Sequence, residues 1–298
     1  MATRFPPLTV HEHVARLTSE RFVEKAAERT GWDQKRTGAV LRMYGAECLH
    51  GSRLITQELP ATGRILEVGA GLGMLSSYLR MLGHDITALE PSTSGFDFFG
   101  EIREIVAEEM ETDVPFLGIR AEELSPALHG SFQFIFSVNV LEHIPDLTGA
   151  MGAMTSVLSN GGRMWHTCPN YFVPYEPHFG LPLLPLFPRA TSLLLPGRIC
   201  QSELWLGLNF ITYFRLKRLA RTNGLATTFR PGTMAEAFRR FDSDVEFASR
   251  QKGIASQIYR VLRAVGGISA VGALPAALST PMMVAMEKEG LRQHERRQ

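Results

Sequence analysis

Cysteine is scarce in this chain. Its 298 residues include three, Cys48, Cys168 and Cys200, and none stands in a Cys-x-x-Cys spacing. They make neither a disulfide framework nor a zinc site, which suits a reducing, cytoplasmic setting. Charge of one sign is not in excess either: 31 basic residues face 30 acidic ones, for a net charge of +1. No basic field exists to hold a nucleic-acid backbone, so nucleic acid is not expected as a partner. No secretory leader is expected, because Met1 to Val10 holds two prolines and no long apolar run. An uninterrupted membrane span is missing as well. Val265 to Met286 carries no charge and is long enough to cross a bilayer, but three glycines and two prolines break it. Metal-ligand spacing is absent: His11 and His13 alternate in a charged segment, surface roles are expected for both, and no metal site is expected.

What is present begins with Arg64-Ile-Leu-Glu-Val-Gly-Ala-Gly-Leu-Gly-Met74. An apolar strand runs into glycines at alternating positions, Gly69, Gly71 and Gly73, with Ala70 between the first two. A helix-like stretch follows to Met81. Glycines in a strand-to-helix turn permit a tight turn and close approach of a ligand to the main chain. Ile86-Thr-Ala-Leu-Glu90 reads as a second strand ending in a carboxylate, which suits the two hydroxyls of a ribose. A dinucleotide fingerprint wants Gly or Ala at position 74, where this chain has Met74, and Glu67 would repel a pyrophosphate. A nucleoside carrying positive charge and no phosphate fits better, because an acid beside it is favourable. A purely structural turn is the competing reading.

Two further signals bear on that choice. Phe132-Gln-Phe-Ile-Phe-Ser-Val138 is the short apolar run of a buried parallel strand, and it leads into Asn139-Val-Leu-Glu-His-Ile-Pro-Asp146. Leu158-Ser-Asn-Gly-Gly-Arg-Met-Trp-His166 then reads as a helix end, a Gly-Gly turn and another strand. Together these motifs resemble the class I S-adenosylmethionine-dependent methyltransferases, in particular the bacterial small-molecule branch. The resemblance covers roughly residues 61–230 and the last strand.

The resemblance implies S-adenosyl-L-methionine as cofactor. Glu67, Gly69, Ala70, Gly71 and Gly73 would then face its methionyl part and Glu90 its ribose. Ala121 and Glu122, in the loop after the third strand, would face adenine. Asn139 to His143 would lie under the transferable methyl. It also implies a Rossmann-like α/β fold, a mostly parallel seven-stranded sheet with an antiparallel final strand. The segments read as an N-terminal helical cap over 1–60, a core over 61–230 with a lid insertion at 170–208, a helical insertion over 231–280, and a last strand and charged tail over 281–298.

For chemistry, His143 is the first candidate base and His178, in the lid, the second. Glu142 stands between orienting a histidine or an acceptor and lying in solvent as a loop carboxylate. His166 and Cys168 read as packed core residues. The Asn/Asp-Pro-Pro-aromatic segment of base-methylating enzymes is missing after the fourth strand. The acceptor is expected to be a small molecule or glycan methylated at oxygen. The segment Tyr175-Glu-Pro-His-Phe-Gly-Leu-Pro182 resembles one in bacterial methyltransferases associated with cell-surface polysaccharides. A lipid or isoprenoid acceptor and a non-catalytic scaffold are the alternatives. The proline-punctuated apolar run Leu181 to Pro196 reads as a lid over the acceptor. Ile254, Ile258, Val261, Leu262 and Val265 form a helical stripe beside Lys252, Arg260 and Arg263. That stripe suits packing on the domain, a homodimer contact or peripheral membrane contact.

Overall fold

The structure is a computed structural model that describes residues 8–91, 97–244, 247–248 and 253–288. The start of the N-terminal segment, Lys252 and the charged tail after Lys288 lie outside the described residues. Two compact units emerge, Met1–Phe136 with Ser156–Ser159, and Ser137–Thr155 with Asn160–Gln298. The division runs through the fourth and fifth strands of the segment read as one core.

The first unit opens with three helices whose starts the sequence specifies. Thr9 and Glu12 make a reciprocal capping box on α1 (Val10–Leu17), Ser19 caps α2 (Glu20–Thr30), and Asp33 caps α3 (Gln34–Ile55). Gly31, at φ 69°, closes α2 in the left-handed region. His13 corrects the surface role expected of it. It is fully buried, and its Nε2 lies 2.9 Å from the carbonyl oxygen of Met74. It falls on the buried stripe of α1 with Val14 and Leu17, and that periodicity outweighs the polar neighbours in sequence. His11 is exposed.

Alternation follows: β1 (Ile65–Val68), α4 (Met74–Met81), β2 (Ile86–Leu89), α5 (Asp97–Met110), β3 (Phe116–Leu117), α6 (Pro126–His129), β4 (Phe132–Val138), α7 (Leu147–Val157) and β5 (Leu158–Cys168). All four residues of β1 and of β2 are buried, as in strands covered on both faces. β1 pairs parallel with β2, and β1 with β4 through Ile65–Phe134 and Glu67–Phe136. Among the described residues the sheet has seven strands in the order β3-β2-β1-β4-β5-β9-β8, with β8 at Leu225–Phe229 and β9 at Met282–Lys288. β9 runs antiparallel to both β5 and β8. This is the mostly parallel methyltransferase Rossmann-like sheet. The Gly-Gly turn expected at 161–162 is instead part of β5, with Gly161 at φ 75° inside a continuous strand.

In the second unit, the root of the predicted lid is tied by Asn170. Its amide donates to the carbonyls of Ala277 (2.9 Å) and Ser279 (3.0 Å), and its Oδ1 accepts from the backbone of Phe172 and Tyr213. The proline-rich segment breaks into short pieces: a ribbon of β6 (Tyr175–Glu176) and β7 (Leu181–Pro182), a 3-10 turn over Pro188–Leu194, α8 (Gly197–Cys200) and α9 (Glu203–Gly207). Thr212 caps α10 (Tyr213–Thr222), and α11 (Thr233–Ser243) follows β8. The helix Ile254–Ala264 packs through Tyr259, stacked 4.7 Å from Phe241. Its predicted apolar stripe stays largely exposed, Val261 at 64% and Val265 at 73%, so the stripe is not what docks the helix. Val265 to Met286 divides into a short helix, a 3-10 turn and β9. Among the described residues no helix is long and apolar enough to cross a membrane.

Candidate functional site

In the first unit the glycine turn and the acid after β2 come together. Gly69 (φ 76°), Gly71 (φ 55°) and Gly73 (φ 71°) are all left-handed, which is the conformational reason for glycine there. The amides of Gly69 and Ala70 donate to the carbonyl of Leu89, at 2.8 and 3.1 Å. Gly71 donates its N–H to Glu90 Oε2 at 2.8 Å. Side chains crowd the remaining faces of the turn. A Cβ on Gly71 would run into the ring of Tyr44 from α3, and one on Gly73 would meet Phe116 Cζ at 2.5 Å. Arg103, on α5, donates to the carbonyl of Gly71 (3.2 Å) and lies over the ring of Phe116.

The electrostatics here are those of buried acids. Glu67 is 6% exposed and accepts a short bond from Ser76 Oγ. Burial pushes its carboxyl up to about 8, against the downward pull of Ser76. Burial also raises Glu90, with the Gly71 amide and Arg103 opposing. Tyr44 is raised by burial and by Glu90. The turn thus combines left-handed glycines with two buried acids, one inside β1 and one directly after β2. Ala121 is buried and Glu122 shielded in the 3-10 turn Ala121–Glu123 after β3, where Glu123 caps the backbone of Arg120.

The second unit carries the other predicted group. Asn139 follows β4 at φ 55°, and its N–H donates to the carbonyl of Thr167 (2.9 Å). The 3-10 turn Leu141–His143 comes next, and Asn209 staples it. The Asn209 amide donates to the carbonyls of Leu141 (2.6 Å) and Ile144 (2.9 Å), and its backbone N–H to that of Glu142 (2.9 Å). His143 and His178 meet edge to face with ring centroids 5.0 Å apart. Glu142 is fully buried, not in solvent, with its Oε1 3.9 Å from His143 Nε2.

Glu176, also fully buried, accepts from His178 Nδ1 at 2.6 Å, from Phe179 N at 2.7 Å and from Tyr171 Oη at 3.2 Å. With Nδ1 donating, Nε2 of His178 carries the lone pair. Burial, and His178 beside it, push the His143 imidazole down to about 4. Trp205 and Phe210 pack edge to face at 5.4 Å, and Tyr171 meets Phe210 at 5.1 Å. His166 is a core residue as expected, buried with Nδ1 2.8 Å from Ser137 Oγ and pushed down to about 3 by burial. Cys168 is fully buried.

The residues that sequence reasoning passed over are Arg103, Tyr171, Glu176 and Asn209. A carboxylate two positions before a candidate base, as Glu176 is to His178, was the one signal available. Arg103 and Asn209 act across long sequence separations and left none.

A family model described as a methyltransferase domain matches residues 43–245. An uncharacterized protein of Mycobacterium tuberculosis is 34% identical over 200 residues, 65% of this chain and 68% of that protein. A ubiquinone biosynthesis O-methyltransferase of Xanthomonas axonopodis pv. citri is 30% identical over 106 residues. That match spans 36% of this chain and less than half, 43%, of the relative. Among solved structures, a Haemonchus contortus phosphoethanolamine N-methyltransferase 2 in complex with S-adenosyl-L-methionine aligns at TM-score 0.48 and 16% identity. It covers 94% of this chain and 60% of that one.

Proposed function

The chain belongs to the methyltransferase-domain family, with S-adenosylmethionine as cofactor, and from that premise we propose that it methylates an oxygen of a small molecule or glycan. The observation that carries the proposal is the His178–Glu176 contact of 2.6 Å with His143 beside it, in segments that follow β4 and β5. Ligands of open α/β sheets sit at the carboxyl ends of the strands, where these segments leave the sheet. The ubiquinone-pathway relative is named an O-methyltransferase, which favours oxygen.

Bound at the glycine turn, S-adenosylmethionine supplies a methyl group on a sulfonium. For its binding we assign Glu67 to the ammonium and Glu90 to the ribose, with Gly69, Ala70, Gly71 and Gly73 forming the turn against which the methionyl part lies. Ala121 and Glu122 are assigned to the adenine by their place after β3, and Asn139 by its place after β4. His143 and His178 hold the acceptor hydroxyl and draw off its proton, and Glu176 fixes the tautomer and orientation of His178. The aromatic group around Trp205 and Phe210 keeps water from the acceptor, since transfer demands alignment and a dry site more than covalent help.

Methyl-labelled cofactor incubated with cell extract tests the reading. Label is expected in a polar metabolite or glycan fraction. It should fall at least about 100-fold in His178→Ala, the range of a lost proton-transfer group, while calorimetry shows unchanged cofactor affinity. Label in an organic-soluble lipid would replace the acceptor class. That second reading draws on the exposed Leu186, Phe187, Leu193 and Leu194. No label in any fraction would leave a cofactor-binding scaffold.

A further inference from the structure

We infer that Glu142, His143 and His178 form a binding site for a divalent first-row transition cation such as Zn2+, with Glu176 orienting one ligand. The inference deepens the preceding reading and rests on it, because the cation's open positions would hold the acceptor oxygen. No spacing motif announces the site: two ligands are adjacent in sequence and the third comes from the lid.

The geometry is that of a set of ligands before closure. One carboxylate oxygen of Glu142 and one nitrogen of each histidine all lie within 4.8 Å of one another. Zinc binds nitrogen and carboxylate oxygen at about 2.0–2.2 Å, so two ligands at a tetrahedral angle lie about 3.4 Å apart. The 3.9 Å between Glu142 Oε1 and His143 Nε2 is about 0.5 Å wider than that, so the ligands draw in around an ion.

The donor set is also selective. Two imidazoles and one carboxylate suit zinc and other first-row ions, and three protein ligands leave positions for a small molecule. The side chains of His143 and His178 are 31% and 25% exposed, so the open side is reachable, while Glu142 is 0% exposed.

The surroundings supply an independent observation. A metal-bound histidine usually donates its other ring N–H to a carboxylate, and His178 Nδ1 does so to Glu176 at 2.6 Å. Glu176 is itself fixed by Phe179 N and Tyr171 Oη, and Asn209 holds the backbone on both sides of Glu142 and His143. The supports of the ligands are therefore in place. With a cation in place, the histidine lone pairs would be on the metal, so the cation would take over from the histidines in holding the acceptor oxygen, and the hydroxyl proton would leave to water.

The test is titration of the chelator-treated full chain with Co2+, followed by its visible ligand-field bands and by competition with Zn2+. One equivalent is expected to bind. His143→Ala and His178→Ala should each lose the bands. Glu176→Gln should weaken binding about 10- to 100-fold, as for other partners of ligating histidines. His11→Ala, at an exposed position, should change nothing. Unchanged cofactor affinity in each variant shows that it is folded. Absence of Co2+ and Zn2+ binding, or equal binding by the His143→Ala/His178→Ala double variant, overturns the site. If the cation does not bind and His178→Ala still stops methyl transfer, this inference fails and the acceptor reading stands. If the cation binds and no fraction accepts methyl label, the reverse holds.

Discussion

Glu67 carries the sharpest electrostatic consequence at the scale of single residues. Its carboxyl is raised from 4.5 to about 8, chiefly by burial. A group held above its unfolded value favours the fold below pH 4.5, and that contribution is lost as pH rises toward 8. The cofactor-free protein should therefore lose thermal stability across this window, and Glu67→Gln should flatten the trend. An ammonium beside the carboxyl favours the ionised form. Cofactor binding below pH 8 should then release close to one proton, read by calorimetry in buffers of different ionisation enthalpy. Equal proton release in Glu67→Gln would remove Glu67 from the ammonium. Glu67 and Glu90 stand out in the sequence because one comes just before the glycine turn and the other directly after the second apolar strand. His13 does not, because nothing in its neighbours shows that α1 turns that face inward. His166 was legible, since an apolar strand surrounds it.

At the scale of elements, the β1–α4 turn is constrained by α3 as much as by its own glycines. Gly71→Ala meets two obstacles, a φ of 55° and the ring of Tyr44. The backbone strain alone costs about 1–3 kcal/mol, and the collision adds to it. Denaturant unfolding should show a destabilisation above that range in the parent background and a smaller one in Tyr44→Ala, where the ring is gone. An equal cost in both backgrounds would mean that Tyr44 does not press on the turn. Regular elements were readable from apolar runs and caps: β4 falls on the expected residues, and Thr212 caps α10 as expected. The pieces of the lid were not readable. The β6–β7 ribbon is two residues on each strand, and its place depends on the distant carbonyls that Asn170 binds.

At the scale of the whole molecule, a near-neutral chain leaves a concentrated apolar surface on one segment. Leu186 is 82% exposed, Phe187 70%, Leu193 86% and Leu194 72%, with exposed Arg189 and Arg198 in the same stretch. Large exposed apolar side chains clustered in one place mark an interaction surface. Arginines among them suit an anionic lipid surface, at about 1 kcal/mol each near the headgroups. We therefore expect peripheral binding to vesicles containing anionic lipid, weakened by salt. Burying a leucine side chain contributes about 1.5–3 kcal/mol, so Leu193→Ser/Leu194→Ser should weaken sedimentation with vesicles by about 100-fold or more. Cofactor affinity should hold, because these residues lie outside the unit that carries the glycine turn. Parent protein that ignores vesicles but elutes as a dimer, with the double variant a monomer, would assign the same leucines to a second copy of the chain. Binding that survives the double substitution and disappears in salt would leave the arginines as the contact and the apolar cluster with the substrate.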